Sequence, residues 1–373
     1  MAKRVHAQTL IQEFESYSPK SLAVEGDKIG LQIGTLNKSV NKVMVTLDVN
    51  EQVVDEAISQ EIDFIIAHHP LIFKPLKTIR TDVSYGRTVE KLIKHDISLY
   101  VAHTNLDVTD GGVNDLMADA LGLTDTEVLA KTGEDQLYKL TIFVSKDDAD
   151  RVRQAMGDAG AGHIGDYSHC SFQSPGTGSF IPGDGTDPYI GKQGEPEFVE
   201  ELKIETIIPG SIQKKVIRAM LDAHPYEEPA YDVYPLANQG EVFGLGRIGY
   251  LKDGMTLDAF ADHVKAAFEV PFVRVVGDGS REVKKVAVLG GDGNKYTMTA
   301  LHKGADVYVT GDLYYHVAHD AMMEGLMMVD PGHNVEKIMK RATADRLREF
   351  LTSNGYESDI IVSDSHTDPF RFR

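Results

Sequence analysis

Histidine and carboxylate side chains recur just after four short apolar segments of this 373-residue chain. The side chains concerned are His68, His69, His103, Asp107, Asp312, His333 and Glu336. Neutral imidazole and carboxylate are ligands that suit Zn, Mn, Fe, Co or Ni, and they give little basis for choosing among these metals. The set therefore indicates a transition-metal site assembled from separate parts of the chain.

The elements that must position these side chains are β-strands alternating with helices. The four segments that precede the polar residues are IDFIIA, ISLYV, DVYVT and LMMVD. Short, continuously apolar strands between helical segments predict a parallel sheet covered on both faces. Ligands bind open sheets of this kind beyond the carboxyl ends of the strands, which is where all four groups fall.

Both ends of the chain follow this α/β pattern. Residues 7–17 have apolar positions at helical spacing, residues 40–49 read as a strand, and Asn50 can cap the helix that follows. The last 130 residues or so repeat the alternation and end in a long helix predicted over 334–355. The fold class is therefore α/β, built from two such units.

The order of predicted strands and helices changes in the middle of the chain. Its predicted order is β-α-β-β-α-β, with a Gly- and Pro-rich loop at 174–196, and this is the ferredoxin-like pattern. We predict an inserted α+β domain at 132–237, between the two parts of one α/β domain at 1–131 and 238–373.

The spacing within the groups is compatible with metal binding. Adjacent histidines would point to opposite faces of a regular strand, but at the strand end before Pro70 the chain can turn both His68 and His69 into one cleft. His333 and Glu336 are three residues apart where a helix begins, so they can share one side. Each pair alone also fits a structural role, as a hydrogen-bonded loop or a helix cap.

Three further residue patterns each allow two interpretations. Asp312 and His316 are spaced i, i+4, which suits metal binding or general-base work but also a capping Asp beside a packed His. The glycines of VLGGDGNKY (Gly290, Gly291 and Gly293) form either a tight turn or an anion site. His224 in HPYEEP is either structural or part of a recognition site.

Composition excludes several classes of protein. The net charge of −19, from 57 acidic and 38 basic residues, disfavours nucleic acid as a partner. The single cysteine, Cys170, rules out cysteine-rich zinc sites and suits a reducing compartment. We find neither a secretory signal at the start nor an apolar stretch of membrane-spanning length, so a cytoplasmic location is expected.

Several motifs together resemble those of the Nif3-like family (NGG1p-interacting factor 3-like), whose bacterial members carry the name GTP cyclohydrolase 1 type 2 homologue. The motifs are EGDKIGLQIG, AHHPLIFKPL, HTNLD, GGVND, TGDLYYH and DPGHNVE, in that order. HPYEEPAYDVYPL is similar to the PII/CutA-like middle domain of the long bacterial form. The resemblance covers the whole chain.

The resemblance implies a site and an assembly. It implies that two divalent metal ions, most readily zinc, are bound by His68, His69, Asp107, His333 and Glu336. Glu336 would bridge the metals, and His103 and His316 would line the cleft. It also implies a toroidal homohexamer whose cavity is capped by the middle domains. Some relatives place the terminal Glu four residues after its His rather than three, and either spacing fits a helical start.

The reaction class follows from a dinuclear site. Two metals about 3.5–4 Å apart typically activate a water and polarise a carbonyl or phosphoryl group. His103 or His316 could move protons, because imidazole titrates near neutral pH. We therefore expect a metal-dependent hydrolase acting on a small molecule, with GTP ring opening as one such reaction. The alternative is a non-enzymatic metal-handling or regulatory protein that binds a small effector.

Overall fold

The computed structural model describes residues 3–371, which form two compact units. One unit comprises residues up to 132 together with those from 243 onward, and the other is Gly133–Val242. The second range overlaps the segment 132–237 in which the sequence predicts an insert. Within the described residues, no helix is long and apolar enough to span a membrane.

The part of the first unit that precedes the middle unit contains seven strands, five α-helices and one 3₁₀ helix (Lys20–Leu22) among the described residues. In chain order the strands and α-helices are β1 (Val5–His6), α1 (Ala7–Tyr17), β2 (Gly30–Ile33), β3 (Ser39–Val40), β4 (Lys42–Thr46), α2 (Glu51–Ser59), β5 (Phe64–Ala67), α3 (Ser84–Lys94), β6 (Ser98–Val101), α4 (Thr104–Val108), α5 (Val113–Ala120) and β7 (Leu123–Glu134). The helix predicted over 7–17 is confirmed. Asn50 caps α2 as predicted, because its side chain accepts a hydrogen bond from the Val53 amide.

The middle unit repeats the predicted order β-α-β-β-α-β. Its elements are β8 (Leu137–Ser145), α6 (Ala149–Asp158), β9 (Ser171–Phe180), β10 (Glu197–Pro209), α7 (Gln213–Ala223) and β11 (Tyr231–Pro235). The sheet order is β11-β8-β10-β9, and each neighbouring pair is antiparallel. Both helices pack on one face of the sheet through a core that includes Leu140, Ile142, Val152, Ile204 and Val216.

The remainder of the first unit follows. Its elements are β12 (Val242–Thr256), α8 (Leu257–Ala267), β13 (Arg274–Val276), β14 (Glu282–Asp292), α9 (Thr297–His302), β15 (Val307–Gly311), α10 (Tyr315–Met323), β16 (Met327–Asp330), a 3₁₀ helix (His333–Ile338), α11 (Met339–Ser353) and β17 (Asp359–Val362). The predicted long helix over 334–355 is therefore wrong in its first turn and a half, which is 3₁₀.

Two mixed sheets organise the first unit. One has the order β17-β4-β5-β6-β2, with parallel pairing from β17 to β6 and an antiparallel edge at β2. The other has the order β13-β16-β15-β14-β12-β7, with parallel pairing among β14, β15 and β16. The predicted parallel cores are confirmed, and the antiparallel edge strands were not predicted.

The two sheets share one core. Alternate residues of β5 face opposite sides, so that Phe64 and Ile66 join this core while Ile65 and Ala67 pack on the other face. Helices α1, α5, α8 and α11 also contribute to the shared core, together with strands of both sheets. Because they are covered on both faces, β5 (FIIA) and the first three residues of β16 (MMVD) are apolar, and β6 (SLYV) has only Ser98 before its apolar residues. The polar residues of the site begin at the ends of these strands.

Candidate metal centre

Side chains from the strand ends of both sheets converge on one cluster. His68 and His69 follow β5, and their ring centroids are 5.0 Å apart, so the chain does turn both imidazoles to one side. The ring of His103, after β6, lies 5.2 Å from that of His68, and the ring of His333, after β16, lies 5.0 Å from that of His69. Asp107 reaches the same place from α4, with Oδ1 3.6 Å from Nε2 of His68.

Each of the four imidazoles is anchored through Nδ1 by an oxygen atom. The anchoring pairs, with their distances, are His68 with the Ala102 carbonyl (2.9 Å), His69 with Asp48 (2.7 Å), His103 with Asp27 (2.9 Å) and His333 with Asp312 (2.8 Å). An anchored Nδ1 fixes the ring orientation and leaves Nε2 for a metal, and carboxylate or carbonyl partners of this kind are usual for histidines that bind metals. The arrangement therefore prepares four Nε2 atoms.

Glu336 occupies the centre of the cluster. Its Oε2 lies 2.9 Å from Nε2 of His69, 3.2 Å from Nε2 of His333 and 3.8 Å from Nε2 of His68. The carboxylate is buried, with 3% of the residue exposed. One oxygen atom thus faces three imidazoles, and Glu336 belongs to two of the sets of side chains that could hold a metal ion.

Two buried polar atoms of the cluster have no hydrogen-bond partner. Within residues 3–371, three buried side-chain nitrogen or oxygen atoms lack a hydrogen bond, and two of them are Nε2 of His68 and Oδ1 of Asp107. Leaving such a group unsatisfied costs about 1–3 kcal/mol, and more when it is charged. A cation between these atoms would satisfy both, so the residues present fit a metal ion.

The pKa shifts reflect the same geometry. Burial lowers the pKa of His68 to about 3, so this imidazole stays neutral and able to coordinate. Burial alone would also lower the pKa of His69, but hydrogen bonds to Asp48 and Glu336 raise it to about 10. Burial raises the pKa of Asp107 well above its usual value, with the nearby Glu336 carboxylate adding to the effect.

The local backbone explains how Glu336 reaches the centre. His333 and Glu336 lie in the 3₁₀ helix, where side chains three residues apart eclipse each other, so they stack more directly than in the α-helix expected from the sequence. Gly291, at φ +62°, lies against both, and a Cβ atom there would be 2.7 Å from Oε1 of Glu336. That glycine therefore makes room for the cluster.

The other glycines of the loop do not form an anion site. The amide of Gly290 donates to Oδ1 of Asn114 at 3.0 Å, and that of Gly293 donates to Oγ1 of Thr310 at 2.9 Å. With these amides engaged, the tight-turn interpretation is the one that the structure supports.

The predicted site residues separate into two groups. Among the described residues, the side chains with ligand atoms mutually within 4.8 Å form three overlapping sets: His68, His69 and His103; His69, His333 and Glu336; His68, Asp107 and Glu336. These sets could hold metal ions. They contain the five predicted ligands and His103, whereas His316 is exposed on α10 beside the ring of Tyr315 and is not brought to the cluster.

A cavity of about 560 Å³ adjoins the cluster. His69 and His333 line it on one side, and the carboxyl-terminal segment from Thr367 to Phe370 forms part of another wall. Oγ1 of Thr367 donates a short hydrogen bond to Oδ2 of Asp48, the carboxylate that anchors His69. The segment therefore reaches the cluster through a side-chain hydrogen bond as well as through the cavity wall.

Sequence reasoning missed the anchoring roles of Asp27, Asp48 and Asp312. The sequence places Asp312 at a strand end, but its spacing suggests His316 as the partner rather than His333. Asp48 follows β4 as His68 follows β5, so its place at a strand end was an available signal. Asp27 lies in the motif EGDKIGLQIG, and apart from that resemblance no local pattern pairs it with His103.

Sequence comparisons agree over the whole chain. The family described as Duf34/NIF3 (NGG1p interacting factor 3) matches residues 5–369. A Halalkalibacterium halodurans protein named GTP cyclohydrolase 1 type 2 homolog is 62% identical over 370 residues, which cover 99% of this chain and 100% of that relative. A Bacillus subtilis protein of the same name is 59% identical over 372 residues, covering both chains completely.

Solved structures give the same result. A Bacillus cereus protein related to NIF3 superposes with a TM-score of 0.95 at 59% identity, over 100% of both chains. A Staphylococcus aureus protein superposes with a TM-score of 0.79 at 32% identity, over 99% of both. The chain therefore belongs to the Duf34/NIF3 family.

Proposed function

We propose that this protein binds two divalent transition-metal ions, most readily zinc, and uses them to hydrolyse a small molecule. The observation that carries the proposal is the buried pair of unpartnered atoms, Nε2 of His68 and Oδ1 of Asp107, beside the shared carboxylate of Glu336. A cluster serving only as packing would have no reason to leave both atoms unsatisfied.

The proposed ligands are His68, His69, Asp107, His333 and Glu336, with Glu336 shared between two ions. His103 is added as a sixth candidate, because one of its ring nitrogens lies within 4.8 Å of ring nitrogens of His68 and His69. Divalent ions at such a site supply Lewis-acid activation of water and of a carbonyl or phosphoryl group. The protein's part is to hold the imidazoles by Nδ1 so that each Nε2 is already oriented.

The adjoining cavity supports an enzymatic role. Its volume of about 560 Å³ is within the range of small-molecule sites. Asp312, Asp330 and Asp368 line it, and the Arg274 guanidinium there is already engaged by Asp330 and by the Leu313 carbonyl. This wall suits a neutral heterocycle or cyclic amide better than a triphosphate, so we propose ring or amide hydrolysis. The relatives' name, GTP cyclohydrolase 1 type 2 homolog, indicates the same class of reaction, but the triphosphate of GTP fits this wall less well than a neutral substrate does.

Metal content tests the proposal directly. We expect purified wild-type protein, measured by mass spectrometry of its metals, to carry near two equivalents per chain. His69→Ala should lose most of this metal, because His69 belongs to two of the three ligand sets. His319→Ala removes an exposed histidine of α10 and should retain the wild-type content. Wild-type protein that is metal-free and cannot be reloaded at neutral pH would overturn the proposal.

A second prediction concerns the anchor of His69. Thr367→Val deletes the hydroxyl that donates to Asp48, so the carboxylate is held less firmly. Removing a group that hydrogen-bonds to a metal ligand typically lowers metal affinity by 10–100-fold. Thr367 acts one hydrogen bond further away, through Asp48, so we expect a loss of roughly tenfold. Chelator competition measures it. Thr367→Ser keeps the hydroxyl and should restore the wild-type affinity, whereas equal weakening in both variants would contradict a role for the hydrogen bond.

We also propose the assembly that the resemblance implies. The middle unit is taken as a ferredoxin-like, PII/CutA-like domain, supported by its strand order β11-β8-β10-β9. Self-association as a homohexamer in the cytoplasm is proposed on the resemblance alone, and light scattering of the full chain tests the subunit number.

The alternative is a non-enzymatic protein that handles metal ions. It takes precedence if the protein binds metal but hydrolyses no compound in a panel of cyclic amides and nucleotides.

A further inference from the structure

The middle unit contains a second cavity, of about 750 Å³, which is large enough for a small organic ligand. Strands β9 and β10 and the segments 182–190 and 226–230 line it, so every wall comes from residues 133–242. It has no lining residue in common with the cavity at the metal cluster. It is therefore a distinct candidate site, and the function proposed above makes no use of it.

Three aromatic rings meet in this cavity. The ring centroid of Tyr226 lies 6.4 Å from that of Phe180 and 6.1 Å from that of Tyr189. Both pairs are tilted rather than stacked flat, with interplanar angles of 51° and 43°. Tyr189 is 60% exposed, so its face is open to a ligand. Rings grouped in this way present several π-faces, which attract ammonium groups.

A carboxylate lies beside the rings. The Tyr226 hydroxyl donates to Oε1 of Glu201 at 3.1 Å. The other oxygen, Oε2, lies against Gly178, where a Cβ atom would be only 2.1 Å away, so the absent side chain leaves space for the carboxylate. Glu201 is thus held at the aromatic group by a hydrogen bond through Oε1, with Oε2 packed against Gly178.

The charge of the cavity has a definite sign. Four carboxylates line it (Asp184, Glu201, Glu227 and Glu228), against one cation, Lys203. The Lys203 ammonium is paired with Glu205 at 3.2 Å, and Glu205 is outside the lining. The cavity is therefore strongly anionic, which repels phosphates and carboxylates and attracts cations.

The loop that closes one side is tied to the opposite wall. Oε2 of Glu227 accepts a hydrogen bond from the backbone amide of Asp187 at 3.1 Å. This bond holds the segment that carries Tyr189 near the segment that carries Tyr226. The aromatic group is thus connected across the cavity rather than left on a free loop.

We propose that this cavity binds a small organic cation, an ammonium group on an apolar body, through the rings of Phe180, Tyr189 and Tyr226 and the carboxylate of Glu201. The aromatic faces would contact the apolar body and attract the ammonium group, and the carboxylates would balance its positive charge. The HPYEEP segment, which contributes Tyr226, Glu227 and Glu228, thereby gains a recognition role alongside its structural one.

Calorimetry on the full-length protein, with choline and its uncharged isostere 3,3-dimethylbutan-1-ol as probes, tests the charge requirement. We expect choline to bind with a dissociation constant in the millimolar range or tighter and the isostere to bind at least tenfold more weakly. Equal binding of the two, no choline binding, or tighter binding of ATP than of choline would each overturn the proposal.

Matched variants test the location of the site. Tyr189→Ala should weaken choline binding at least fivefold, and Glu201→Gln should weaken it by a similar factor while keeping the size of the side chain. Tyr167→Ala removes a tyrosine that is 75% exposed and lies outside the lining, so it should bind as wild type. Choline binding that is unchanged in both cavity variants, or reduced equally in all three, would place the site elsewhere and contradict the assignment.

Discussion

Glu336→Gln is expected to abolish the stabilisation that metal ions give to the folded protein. A ligand that binds only the folded state stabilises it by about 4 kcal/mol when its concentration is 1,000 times its dissociation constant. The variant keeps the size of the side chain but removes the charge shared by His69, His333 and His68. We expect metal to raise the free energy of unfolding of wild type by roughly this amount and that of the variant by less than about 1 kcal/mol.

Denaturant unfolding with added zinc and with a chelator measures this difference. Glu324→Gln removes an exposed glutamate and is the control, because it should respond to metal as wild type does. The comparison within each protein, with and without metal, cancels any effect of the substitution on the fold itself. If Glu336→Gln still gains the full wild-type stabilisation from zinc, Glu336 is not a shared ligand.

Asp115→Ala is expected to lower the free energy of unfolding by about 3 kcal/mol, the lower end of the range for a buried ion pair, since it removes the partner of the buried Arg247 guanidinium while Asp115 itself is partly exposed. Arg247 is only 4% exposed, and its guanidinium donates to both oxygens of Asp115. It also donates to the carbonyls of Gly244 and Gly246, which cannot neutralise its charge. Without Asp115 the buried charge keeps only the exposed Asp110 carboxylate nearby, and chemical denaturation measures the loss.

Asp110→Ala is the matched control for this prediction. Its carboxylate is also near Arg247, at 3.8 Å, but its side chain is 85% exposed. An exposed ion pair contributes about 0–1 kcal/mol, so this variant should unfold nearly as wild type does. Similar losses in the two variants would mean that burial of Arg247 is not what makes Asp115 important.

The sequence by itself determined the parallel strands that precede the site, most of the helices and the kind of chemistry. Short continuous apolar runs between helical segments, such as Phe64–Ala67, indicate strands buried on both faces, and the polar residues after them mark the carboxyl edge. Helix periodicity is equally local, which is why the bounds of Ala7–Tyr17 agree with the structure. The residue types alone, imidazole and carboxylate, restrict the candidate metals to a few.

The tertiary structure decided which groups complete the cluster. The carboxylates that anchor the imidazoles are not local in sequence: Asp27 is 76 residues from His103, and Asp48 and Asp312 are each 21 residues from the histidine that they anchor. Thr367, which donates to Asp48, is 319 residues from it. Such pairings depend on which strands become neighbours in each sheet, and no local period encodes them.

The same reason explains the errors at the helices beside the site. His316 turns outward because the rotation of α10 about its axis is set by the packing of Ala321 and its neighbours against the sheet, not by the i, i+4 spacing. The segment His333–Ile338 is 3₁₀ rather than α-helical, although its composition is compatible with either form. Residue types and strand ends therefore indicated a metal centre, while side-chain partners and helix rotation, which depend on contacts between distant segments, were decided only by the folded chain.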